Sequence, residues 1–238
     1  MPLIKQTKEV GASSQQRLAK EPKLGFFFLL ICLIALLIIP GYFDRPLMGG
    51  MVLDVILSMV LLSGLYLVVY RLKELVVGIL LAMPLLLTGW WDSLLPAPWD
   101  VFVANTLYVI FLSYIGVLIG RFLFENDSVS LDMILASICL YLLVGLIWAF
   151  IYQLIEVSHP GAFKFVAIET TQMEAMRYMR GQFVYYSYVT LSTLGYGDIT
   201  PVTRVARSWA VLETIVGQFY LTVVIARLVG LHISQKLK

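Results

Sequence analysis

The stretch Thr193-Leu194-Gly195-Tyr196-Gly197-Asp198 decides how the rest of the chain is read. Glycine has no Cβ to forbid positive φ, so Gly195 and Gly197 let the backbone leave the ordinary L-residue regions. Successive carbonyls can then turn to one axis. Four copies of such a loop would replace the hydration shell of a cation with rings of oxygens, one ring per residue. Thr193 adds its hydroxyl below its own carbonyl, Tyr196 points away from the axis and braces the loop, and Asp198 closes the outer mouth. These residue types fit an ion selectivity filter, with K+ sites at Thr193, Leu194, Gly195, Tyr196 and Gly197. With average residue usage, this order arises by chance in about 1 chain in 10⁵ of this length.

Of the 238 residues, 60% are apolar and 13% are charged. A soluble domain carries about 25% charged residues, so a polytopic membrane protein is expected. Crossing the hydrocarbon core takes about 20 apolar residues. Six such runs fall at 24–43, 51–70, 74–90, 101–121, 130–155 and 202–230, separated by glycine, proline and charge. Trp90, Trp91 and Trp99 suit an interfacial belt. The polar segment 1–23 precedes a first run without a small-residue cleavage site, so that run is read as a retained helix. Cys32 and Cys139 lie inside apolar runs and point to neither a disulfide framework nor a metal site. Basic residues favour both termini on the cytoplasmic side, with the filter mouth facing out.

Residues 182–193 would form a helix of about 18 Å, too short to span, so this segment is expected to re-enter. Ending at Thr193, the helix would direct its negative dipole end at a cation in the inner vestibule. Thr200-Pro201 has the form of an N-cap followed by proline at the first helical position. With these residues in place, 130–232 resembles the two-helix pore domain of tetrameric potassium channels. The resemblance is carried by Tyr185-Tyr186, at the place of the aromatic pair that braces the filter, by Ser192 through Asp198, by Pro201-Val202-Thr203 with Arg207, and by Gly217 at the place of a hinge glycine. It implies an all-α membrane protein with six transmembrane helices, a re-entrant pore helix and filter loop, and a homotetrameric pore. It also implies passive conduction of K+. Leu194 and Ser192 depart from the commonest residues at their positions, and Val189 stands where some bacterial relatives carry a glutamate.

The chain therefore divides into a cytoplasmic N-terminal segment (1–23), a four-helix transmembrane domain (24–127), a pore domain (128–232) and a cytoplasmic tail (233–238). The fourth run has no Lys or Arg before Arg121, so a voltage sensor's charge transfer, about 2.3 kcal/mol per charge per 100 mV, is not expected. Glu213 has two readings, a hydrogen-bonded structural acid or a protonatable group that tunes the filter from behind. Gln218 either lines the cavity or packs between helices. Asp54 reads as a snorkelling or paired interfacial acid, His159 and His232 as solvated residues, and 156–180 as a solvated turret with some helix. The lipid bilayer is the expected surrounding, in the cell (plasma) membrane, with anionic lipid as a possible partner of the basic segment 1–23. No cofactor beyond K+, no nucleic-acid partner and no enzyme activity are expected, since no acidic, His or Cys cluster has metal-ligand spacing and no nucleophile has a base beside it. The alternative is a non-conducting membrane subunit or sensor that keeps the pore fold.

Overall fold

The computed structural model describes residues 24–43, 46–69, 71–90, 99–165 and 172–236, leaving the side chains of 46–47, 87–90 and 172–178 outside the description. The basic segment 1–23, with its lipid contact, lies outside the described residues. In chain order come α1 (Gly25–Ile38) with a 3₁₀ turn (Ile39–Tyr42), α2 (Pro46–Leu67), α3 (Leu72–Trp90), α4 (Trp99–Glu125) and α5 (Leu131–Ser158). Then follow β1 (Phe163–Lys164), α6 (Gln172–Leu191), β2 (Thr200–Pro201) and α7 (Arg204–Lys236).

Local chemistry sets several of these ends. Pro40 cannot donate a backbone hydrogen bond, and α1 gives way at Ile38 to the 3₁₀ turn that contains it. Pro46 opens α2, where a missing N–H costs nothing. Ser130 caps α5 by accepting from the Met133 N–H at 3.2 Å. Among the described residues, five segments are long and apolar enough to cross a membrane: Gly25–Tyr42, Met48–Leu67, Trp99–Glu125, Leu131–Ser158 and Arg204–Lys236. α3 forms where the third run was expected, with Pro84 inside it.

Three expectations need correction. The helix before the filter runs Gln172–Leu191 rather than 182–193, so its length of about 30 Å no longer forces re-entry by itself. Thr200 and Pro201 do not open the last helix. They pair antiparallel with β1, Phe163 opposite Pro201 and Lys164 opposite Thr200. Thr203 caps α7 instead, its hydroxyl accepting from the Ala206 N–H at 3.3 Å. α7 also continues to Lys236, taking in most of the segment read as a tail, because no glycine or proline after Gly230 stops it and a terminal lysine suits the helix dipole.

Of the segment 156–180, residues 166–171 lie outside the description, and the described ends are held by specific contacts. The Glu156 carboxylate accepts from the Gly161 and Phe163 N–H groups at 2.7 and 3.0 Å, and Phe163 is buried. Arg180 pairs with Asp54, joining α6 to α2. Leu29, Leu33 and Leu36 bury one face of α1, which packs on α2 and α5. α4 and α5 make the most extensive helix pair, with Tyr108 stacked on Phe150 at 4.5 Å. α1, α2 and α4 thus pack on α5 or α6 of their own chain, while α3 packs on α2 and α4.

Candidate ion-conduction site

The site grows from the C-terminal end of α6. The Leu194 and Gly195 N–H groups both donate to the Val189 carbonyl, at 2.9 and 3.3 Å, and the Thr193 N–H donates to Thr190 at 2.9 Å. The loop therefore hangs from the last turn of the helix. Thr193, Gly195 and Gly197 have φ of +62°, +59° and +80°, while Leu194 and Tyr196 between them are not in the left-handed region. Alternating handedness turns successive carbonyls to the same side, which an extended strand would point alternately to opposite sides. Glycine takes this conformation freely; Thr193 takes it against the cost of its Cβ and holds it with a hydroxyl hydrogen bond to the Ser192 carbonyl at 2.6 Å.

At the far end of the loop, the Tyr185 hydroxyl donates to Asp198 at 2.7 Å, and the Ile199 N–H donates to the other carboxylate oxygen at 3.0 Å. The Tyr185 hydrogen bond holds the Asp198 carboxyl below its ordinary range. Tyr186 points elsewhere: its ring packs edge-on against Tyr152 and Phe163, with centroids 5.0 and 5.4 Å away. The two tyrosines thus make different contacts, Tyr185 with Asp198 at the end of the loop and Tyr186 with the aromatic cluster of α5 and β1. Residues 192–198 are all exposed on the single chain, including Leu194 at 55% and Tyr196 at 67%.

Glu213 is fully buried and faces its own chain. Its carboxyl accepts from the Tyr152 hydroxyl of α5 and lies 2.5 Å from the Ser187 hydroxyl of α6. Gly217, also buried, lies against the end of α6, where any Cβ would run into the Leu191 carbonyl oxygen. That close approach gives glycine a packing reason at this position, beside the hinge role suggested above. Gln218 is exposed, its side chain away from these contacts.

Arg227 was not singled out from the sequence. Its guanidinium donates to the Leu123, Phe124 and Asn126 carbonyls, at 3.2, 2.9 and 3.2 Å, where α4 ends. It also lies over the Phe124 ring at 5.1 Å. The last carbonyls of a helix lack partners within it, and an arginine can satisfy them. An arginine in the apolar second half of a long helix, between Val224 and Gly230, was the available signal.

Residues 136–232 match a family model described as Ion channel. The match takes in most of α5, all of α6, the loop and most of α7. It supports an ion channel of the pore-domain kind, carried in a chain whose apolar helices fit a membrane. No curated protein and no solved structure matches the chain.

Proposed function

We propose that this chain is one subunit of a homotetrameric, potassium-selective channel that conducts K+ passively. The observation that carries this reading is the alternation of left-handed residues at 193, 195 and 197 in a loop left wholly exposed on one chain. A ladder of this kind stops at one wall of a pore, and three further copies would complete it. The exposed Leu194 and Tyr196 would then meet neighbouring copies. So would α7, where Glu213, Gly217 and Ala206 are buried but Leu212, Ile215 and Phe219 are exposed.

K+ would bind the carbonyls of Thr193, Leu194, Gly195, Tyr196 and Gly197. The β1–β2 pairing supports re-entry, because the excursion through α6 and the loop returns to the level at which it left. In this reading six helices cross the cell membrane, α3 among them, with both termini cytoplasmic and segment 1–23 against anionic lipid. The α7 helices of four copies would cross near 226–230 and bend at Gly217.

The deciding measurement is cation flux into proteoliposomes holding the purified tetramer. Potassium should enter at least about a hundredfold faster than sodium, a discrimination of about 2.7 kcal/mol. Equal entry refutes selectivity, and an assembled tetramer with no flux for either ion favours the non-conducting subunit. Among the described residues of α4 only Arg121 is basic, so the conductance should change little with voltage; a voltage clamp that finds several gating charges overturns this.

A further inference from the structure

A hydrogen-bond count behind the filter fixes where one proton must sit. The Ser187 hydroxyl oxygen lies 2.6 Å from the Gly145 carbonyl oxygen and 2.5 Å from one carboxyl oxygen of Glu213. A serine hydroxyl carries one proton, and a carbonyl carries none. The Ser187 proton must therefore lie toward Gly145, since otherwise two sets of lone pairs would face each other at hydrogen-bond distance. The contact between Ser187 and Glu213 then needs a proton from the carboxyl. On the other carboxyl oxygen, the Tyr152 hydroxyl is the donor.

We infer that Glu213 works as a neutral carboxylic acid that donates to Ser187, so that one proton positions α6 against α5 behind the filter. The relay runs from Tyr152 to one oxygen of Glu213, from the other oxygen to Ser187, and from Ser187 to the Gly145 carbonyl. It joins α5, α6 and α7 through side chains with no exposed surface at Tyr152, Ser187 or Glu213. The titratable side chains that face the carboxyl are Tyr152 and Tyr141 from α5 and Tyr186 and Tyr188 from α6. None is a cation, and among the described residues Glu213 has no ion pair. A carboxylate here would be an uncompensated charge in an apolar layer, which a neutral acid avoids.

Loss of the proton would force Ser187 to choose between Gly145 and Glu213, loosening α6 from α5 or from α7. Ser187 stands two residues before Val189, whose carbonyl carries the Leu194 and Gly195 N–H groups. Glu213 is therefore a positioning residue for the filter: it touches no ion, and its proton holds the helix from which the filter hangs.

Two readouts test this, of which only the second rests on the proposed channel function. The first is infrared difference spectroscopy of the full-length protein in bilayers, with a carbonyl band of a protonated carboxylic acid sought at neutral pH and assigned by its loss in Glu213→Gln. The band should be present, and should convert to a carboxylate band only in alkaline solution. A carboxylate signal from Glu213 already at neutral pH overturns the inference, whether or not the protein conducts. The second readout is the pH profile of potassium flux. In the wild type, flux should fall over the same alkaline interval in which the band is lost. Glu213→Gln, whose amide keeps one donor and one acceptor, should remove that fall, whereas Glu213→Ala should lose flux and Gln should rescue it. The same alkaline fall in Glu213→Gln overturns the positioning role. If no form conducts, the channel reading fails and the infrared result alone decides.

Discussion

The two ends of α7, outer and inner in the proposed orientation, are attached in opposite ways. At its outer half the helix meets α6 and α5 through a buried acid and a glycine with no room for a methyl group. At its inner half it meets α4 and α5 through exposed or half-buried polar groups: Arg227 on the carbonyls at the end of α4, and the Tyr220 hydroxyl on the Ser137 carbonyl at 2.5 Å. The outer attachment is steric and desolvated, so it tolerates almost no displacement. The inner one consists of hydrogen bonds beside an open apolar groove of about 360 Å³ on the single chain, lined by Met133, Leu140, Phe219 and Leu228 among others. In the proposed channel, a helix held rigidly near the filter and more loosely below would be suited to moving at its inner end while the filter stays fixed.

This contrast can be broken most forcefully at Gly217. Replacement by valine should displace Leu191 and the loop beyond it, cost about 1–3 kcal/mol from overpacking, and abolish selective flux even where the tetramer still assembles. Size-exclusion chromatography beside flux measurement separates the two effects, and full selectivity in Gly217→Val would show the outer attachment to be yielding. A smaller effect is expected at the inner end. Arg227→Ala leaves the α4 carbonyls without their partner, which should lower stability by about 2 kcal/mol. It should alter how often the pore opens without changing the preference for potassium over sodium; single-channel recording at equal ion gradients reads both quantities. A loss of selectivity in Arg227→Ala would erase the distinction between the two ends.

The smallest effect belongs to the mouth. The Asp198 carboxyl is held below its ordinary range, so the hydrogen bond from Tyr185 is fully present above that range and is lost as pH falls through the lowered value. Tyr185→Phe should move the Asp198 midpoint upward, toward the ordinary carboxylate value. A carboxyl NMR titration would show it, and an unmoved midpoint would make the tyrosine a spectator. Because Asp198 is exposed, the shift should change the pH at which the mouth loosens rather than the overall stability.

Much of this was legible in the sequence because hydrophobic length and glycine position are local signals. The apolar runs reappear as helices with ends moved by a few residues, and Gly195 and Gly197 take the conformations their lack of a Cβ allows. The helix before the filter was read too short because its polar first half, with Glu174, Arg177 and Arg180, looks like loop. Thr200-Pro201 and Thr203 are both plausible helix starts, and only pairing with a strand 37 residues earlier decides between them. The partners of Glu213, Ser187 and Arg227 are equally remote: Ser187 and Glu213 are 26 positions apart, and Arg227 reaches back 101 to 104. Such contacts depend on how helices stack, which the spacing of residues along the chain does not encode.

The alternating handedness at 193, 195 and 197 has one more consequence: the loop has parity. Inserting one residue between Thr193 and Gly197 would put two residues of like handedness in succession, or ask a left-handed conformation of a residue that is not glycine, and the later carbonyls would no longer share the side of the earlier ones. A pair of residues inserted together would keep the alternation, provided that the one falling at the left-handed position were glycine. The length of this loop is therefore constrained in steps of two, a restriction on evolution and on design that no single side chain reveals.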